Sequence, residues 1–249
     1  MLKALGSTAM AAGSIAILPL LSAPLAIAIL SLASLWIALV TVGYLSSNAR
    51  KSQQHNIMQC AILPVAVVLV VGAFVRFAAP DWVVPFAVLG SAFMLPLALL
   101  CQTQKVATTY GPKHRWEVVS QVLCYLVAFV LFITVKRLDL PVWVGIISVG
   151  TFSSALAVEI FGWAGAERKR IGLYSALIGF FLMETAWGLT FWSLRGLTMG
   201  LLLLLFYYSA AGIAHHHLMG RLTSTMVMEF VAVAIIGSVL LYSVQPLAS

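Results

Sequence analysis

Charge is scarce in this chain. Seven Asp and Glu and fourteen Lys and Arg make up 8% of its 249 residues, 62% are hydrophobic, and the mean hydropathy is +1.06. A soluble domain carries charge on about a quarter of its residues, so too little polar surface is present to coat a water-soluble globule. The solvent for this fold is lipid. Cysteine is equally sparse: Cys60, Cys101 and Cys124 stand singly in or beside apolar runs, with no CxxC. That spacing excludes a zinc knuckle and a dithiol relay and reads as small buried side chains. Long polar loops are missing too. The longest connection, 102–115, is too small to fold separately, so residues 1–249 read as a single transmembrane domain. No internal repeat stands out, and an inverted-repeat transporter is not signalled.

Several chemistries are excluded by what does not occur. There is no GxSG serine, paired-glutamate protease motif, DxxxD motif or Walker sequence. No histidine lies in the middle of an apolar run, which argues against haem or chlorophyll ligated within a bundle. The last run, 224–244, has no lysine to carry retinal. No catalytic set and no cofactor site is therefore assigned.

What is present is apolar run after apolar run, at 25–46, 58–78, 82–101, 116–135, 142–163, 171–192, 197–214 and 224–244. Each is long enough to cross about 30 Å of hydrocarbon at 1.5 Å per residue. Residues 4–21 form a weaker ninth candidate, interrupted by Pro19 and rich in small residues, expected to cross or to lie at the interface as a half-helix. The amino-terminal segment resembles a signal peptide, but Pro24 suits cleavage poorly and another apolar run follows at once, so it is kept as part of the protein. The fold expected is all-α: a polytopic integral membrane bundle of eight or nine helices.

The net charge of +7 does not point to nucleic acid, because the basic residues sit in short loops between the runs. They read as topology signals and contacts to anionic lipids at the inner face. The alternating connections 47–57, 102–115, 164–170 and 215–223 hold nine basic residues, or ten with Lys3, whereas Arg76, Lys136, Arg137 and Arg195 make four on the other face. The richer side is expected in the cytoplasm and the carboxyl terminus outside. Trp82, Trp116, Trp143, Trp163 and Trp192 fall at run ends, where an amphipathic ring prefers headgroup depth.

Charge inside a membrane costs a few kcal/mol and marks a candidate site. Glu117 and Glu159 lie near the inner surface, close in sequence to Arg115 and the basic run 168–170, and read as interfacial ion-pair partners. Glu229, in TSTMVMEFVAV, lies about 10 Å inside its run by helical rise. Glu184, in FFLMETAWGLTFW, lies more than halfway across, at a depth similar to that of Arg76 in VVGAFVRFAAP. A Glu184–Arg76 pair serves either as polar glue between helices or as a proton or cation site in a wet cavity.

The stretch GIAHHHLMGRL places His215, His216 and His217 just past the run ending at 214. Successive helical residues point about 100° apart, so the three cannot reach one ion from one face. They read as solvated interfacial side chains. His55 and His114 lie in loops on the same expected face, which leaves open a composite metal site of the five histidines.

Residues 184–229, from ETAWGLTFW through YYSAAGIAHHHLMGRLTSTMVMEF, resemble the carboxyl-terminal part of an uncharacterised family of bacterial multi-pass membrane proteins, a domain of unknown function. The pattern rests on Glu184, Trp187, Tyr207, Tyr208, Gly212, His216, Gly220, Arg221, Leu222, Thr223 and Glu229. The resemblance implies a membrane fold and no activity. The function expected is a non-enzymatic accessory subunit or scaffold of a membrane complex in a bacterial cytoplasmic membrane, with other membrane subunits as partners. The alternatives are a small proton-, cation- or lipid-like-solute transporter using Glu184 with Arg76, and an inner-face metal-dependent lipid-modifying enzyme.

Overall fold

Proline and glycine set where the helices begin and end. The structure, a computed structural model, describes residues 2–48, 59–107, 113–138, 140–192 and 194–244. Pro19 stops α1 (Leu2–Ile17) in a single 3₁₀ turn, Leu18–Leu20, and Pro24 occupies the first turn of α2 (Ala23–Asn48), where its missing N–H costs nothing. Next come α3 (Ile62–Ala73), which runs on into a π turn at Phe74–Ala78, and α4 (Val84–Ala107), with Pro96 inside it. The chain continues through α5 (Lys113–Arg137), α6 (Val142–Phe161), α7 (Arg168–Thr190), α8 (Gly196–Leu218) and α9 (Ser224–Val244).

Eight of these segments are long and apolar enough to cross a bilayer, and each overlaps one of the eight runs read from the sequence. The ninth candidate is a helix, but its apolar part, Thr8–Leu20, is shorter than the other eight. It is nonetheless packed rather than loose: Thr8, Ala11, Ala12, Ile15 and Leu18 are buried on one face.

The chain divides into two compact units within α5, at Val127/Ala128. In the amino-terminal unit, α1 packs on α2 and α4, and α3 fits between α2 and α4. Gly72 of α3 leaves room for the Leu30 side chain of α2, where a Cβ would collide with it. In the carboxyl-terminal unit α6 and α7 form the most extensive pairing, and α8 joins α7 to α9. The backbones of α6 and α7 come close at Gly150 and Gly179. A Cβ added to Gly179 would stand 2.6 Å from the Gly150 carbonyl oxygen, and one added to Gly150 would stand 2.9 Å from that of Gly179. Each glycine is spaced four residues from a serine, Gly150 with Ser154 and Ser175 with Gly179. Lipid offers no hydrophobic drive for helices to associate, so small residues that let backbones touch are what hold such a pair together.

The outer surfaces are apolar. Leu32 and Leu39 of α2, Phe86 and Phe93 of α4, and Ile235 and Val239 of α9 are all largely exposed, the inverse of a water-soluble surface. Hydroxyls on these helices donate back to their own turns: Thr41 to the Ile37 carbonyl at 2.7 Å, Thr134 to Val130 at 2.6 Å, Ser238 to Ala234 at 2.7 Å. Such local bonds satisfy a polar group where no water is at hand.

Candidate functional site

The histidine triplet is helical. α8 continues one turn beyond the sequence-based end at 214 and stops at Leu218, and Gly220 is the reason. Gly220 adopts φ 67°, its N–H donates to the His217 carbonyl at 3.0 Å, and Arg221 N–H reaches the His216 carbonyl at 3.0 Å. These are the two bonds of a Schellman cap, and glycine takes the left-handed position without steric penalty.

The three imidazoles fan onto three different helices. His215 stacks on Phe161 at the end of α6, centroids 6.4 Å apart. His216 meets Phe230 of α9 at 6.1 Å, and His217 meets Tyr174 of α7 at 5.5 Å. The divergence is what a 100° step per residue demands. Their exposure corrects the expectation of three solvated side chains. His215 is only 6% exposed, His216 is half-buried and His217 alone is exposed. The Nδ1 of His216 is shielded with no hydrogen-bond partner among the described residues. No cluster of three or more His, Cys, Asp or Glu suited to a metal ion occurs among the described residues. His55 lies outside those residues, and His114 is placed only by its backbone, in the first turn of α5.

The seam between α8 and α9 explains much of the motif in 184–229. Tyr208, Gly212 and His216 repeat every four residues on one face of α8, and all three meet the Phe230 ring. Gly212 makes the room, since a Cβ there would stand 2.5 Å from the ring. Ser209 adds a hydrogen bond to the Phe230 carbonyl at 3.3 Å. Tyr207 points elsewhere, fully buried and edge-on to Phe132 of α5 at 6.3 Å. These residues act as packing.

The carboxylates separate into two kinds. Glu159, expected at the wet interface beside 168–170, is completely buried near the end of α6; exposed Arg170 lies 4.0 Å from exposed Glu167. The last turn of α6 faces the unit's interior, with Leu156, Ala157, Ile160 and Phe161 buried around it, so Glu159 is not at a wet surface. Glu184 and Glu229 are exposed. Glu184 is the seventeenth of 23 residues in α7, about 25 Å from its start by helical rise. It belongs to a stripe of Leu173, Leu177, Phe180, Trp187 and Phe191, all more than half exposed. The neighbouring Thr185 hydroxyl donates to the Phe181 carbonyl at 2.8 Å rather than to this carboxylate.

Arg76 belongs to the amino-terminal unit and Glu184 to the carboxyl-terminal one. Arg76 sits in the π turn, half-buried, its guanidinium carbon 5.3 Å from the centre of the Phe77 ring. Its Nε is shielded with no hydrogen-bond partner among the described residues. Sequence reasoning missed this turn, although single π turns recur at functional positions.

No curated protein and no solved structure matches the chain. A family model described as "Protein of unknown function (DUF5656)" matches residues 5–244, far beyond the stretch 184–229. A multi-pass helical membrane protein by its eight apolar spans, the chain belongs to the DUF5656 family.

Proposed function

We propose that this protein is a non-enzymatic accessory subunit or scaffold of a membrane complex, and that the outward face of α7 is where a partner helix docks. One observation carries the reading: Glu184 is exposed deep along α7, in the middle of an aromatic stripe. Facing hydrocarbon, a carboxylate costs a few kcal/mol, and polar groups inside membranes are as a rule turned toward protein or water. A partner helix that donates a hydrogen bond or a positive charge removes that cost. The flanking Phe180, Trp187 and Phe191 are residue types enriched in protein interfaces.

A photoreactive amino acid at position 180 or 187 of the full chain tests this in native membranes, followed by purification in mild detergent. The expected result is one stoichiometric membrane partner crosslinked from either position and lost with Glu184→Leu. Crosslinks to lipid alone, from a chain that purifies as a lone monomer or homodimer, would overturn the reading.

A second reading is supported by Arg76. A half-buried guanidinium in a π turn suits a small transporter of protons, cations or a lipid-like solute, with Glu184 as its counter-charge. That reading requires Arg76 and Glu184 to be energetically coupled.

A further inference from the structure

At one end of the carboxyl-terminal unit, the end of α7, the start of α8 and the end of α9 enclose a cleft of about 1320 Å³. Its walls are mostly apolar, among them Gly188 of α7, Phe206 of α8, and Val239 and Tyr242 of α9. Three hydroxyls that border it are tied to their own helices: Thr185 donates to the Phe181 carbonyl, Ser238 to Ala234 and Ser243 to Leu240. Among the described lining residues only Arg195 is charged. It is exposed and precedes the first turn of α8, which has no side-chain cap.

Two further basic residues have their side-chain stems near the start of α8. The Cγ atoms of Lys136 and Arg137, at the end of α5, are 3.6 and 3.9 Å from where a Cβ on Gly196 would stand. Trp192 and Tyr242, rings 6.2 Å apart, flank the opening. Amphipathic rings of this kind collect at headgroup depth. From Arg195 to Phe206, α8 descends about 16 Å at 1.5 Å per residue, roughly half of a 30 Å hydrocarbon layer. The cleft therefore has the Arg195 cation at its headgroup end and an apolar wall about one leaflet deep. Its volume exceeds the upper end, about 1,000 Å³, of ordinary small-molecule sites.

We propose that this cleft binds an acidic phospholipid from the surrounding bilayer, its phosphate against Arg195 and an acyl chain along Phe206 and Val239. Charge complementarity selects the head, and the depth and apolar wall select the tail. Gly188 belongs to the design: a Cβ there meets nothing within 4 Å, so its lack of a side chain keeps space open to the ligand rather than to a packed neighbour.

Native mass spectrometry of the delipidated full chain, titrated with phosphatidylglycerol or phosphatidylcholine, tests the proposal. Phosphatidylglycerol is expected to be retained about tenfold better, because phosphatidylcholine carries the same phosphate but adds a choline cation that Arg195 repels. Arg195→Gln, at an exposed position, should bring the ratio close to one with the melting temperature unchanged. Gly188→Leu, which fills open space, should lower retention of both lipids without unfolding the chain. Equal retention of the two lipids by the unaltered protein would overturn the proposal, as would an undiminished preference in Arg195→Gln. Displacement of phosphatidylglycerol by millimolar inorganic phosphate would identify a site for small anions and equally overturn it.

Discussion

Replacing Gly179 by alanine should loosen the α6–α7 pair on which Glu184 is presented. The new Cβ would stand 2.6 Å from the Gly150 carbonyl oxygen and 2.8 Å from the Ser154 Cβ, where ordinary contact begins at 3.4 Å. Both obstacles are backbone or backbone-attached, so no flexible side chain can swing away, and the helices must part by most of an ångström. Overpacking of this kind costs about 1–3 kcal/mol, while exchanging Gly for Ala inside a helix returns up to about 1 kcal/mol. The net expectation is a loss of about 1–2 kcal/mol, or a melting temperature lower by about 2–4 °C for a chain of this size. Two controls sit on the same helix: Gly172 and Gly188 have nothing within 4 Å of an added Cβ, and alanine at either should be neutral or stabilising. At Gly150 an added Cβ would first meet the Met183 side chain, which can move aside, and then the Gly179 carbonyl oxygen at 2.9 Å; Gly150→Ala should therefore cost less, and the double substitution less than the sum, because once the helices have parted the second methyl finds room. The assay is thermal unfolding of the full chain in detergent, read by size-exclusion chromatography after heating. If Gly179→Ala melts with Gly172→Ala and Gly188→Ala, the backbone contact does not hold the pair together.

Three further expectations concern the candidate sites. His215→Ala should cost about 1–3 kcal/mol, because the ring is buried against Phe161, whereas exposed His217→Ala should change stability by less than about 0.5 kcal/mol; equal effects would contradict the fan of the triplet, and stoichiometric metal lost on replacing all three would reassign it. For Glu184 and Arg76, thermal stabilities of Glu184→Gln, Arg76→Gln and the double variant form a cycle: docking of a partner on Glu184 expects additivity in the isolated chain, and coupling above about 1 kcal/mol would establish the pair, as helix glue or as the transporter's site, and overturn that docking. For topology, a cysteine in 164–170 should be shielded from an impermeant thiol reagent in whole cells, and one replacing Lys136 should be labelled; the reverse pattern would invert the orientation inferred from the basic loops.

Much of the fold was legible because the bilayer imposes its own length scale. A run of about 20 apolar residues has few other destinations, so all eight spans could be read from hydropathy alone, with ends displaced by a few residues. At 215–217 the fall in hydropathy marks the end of the apolar run but not of the helix, which goes on to Leu218. The stop signal was Gly220, and a capping rule rather than a hydropathy rule would have found it. The motif in 184–229 was also visible, but its residue types do not distinguish a packing seam from a site. Only the convergence of Tyr208, Gly212 and His216 on Phe230 shows that this part of it packs.

Composition and periodicity by themselves determined the solvent, the helical class and the number of long spans, because these depend on one-dimensional quantities: apolar length, proline and glycine positions, and loop charge. Which side of each helix faces inward was decided only by tertiary structure. Glu159 and Glu184 have similar apolar neighbours in sequence, yet one is completely buried and the other is on the outer face of α7. In a water-soluble helix a polar stripe would have announced the outward side. In lipid both sides of a helix are apolar, the amphipathic signal vanishes, and the choice passes to where small residues such as Gly150 and Gly179 let backbones meet.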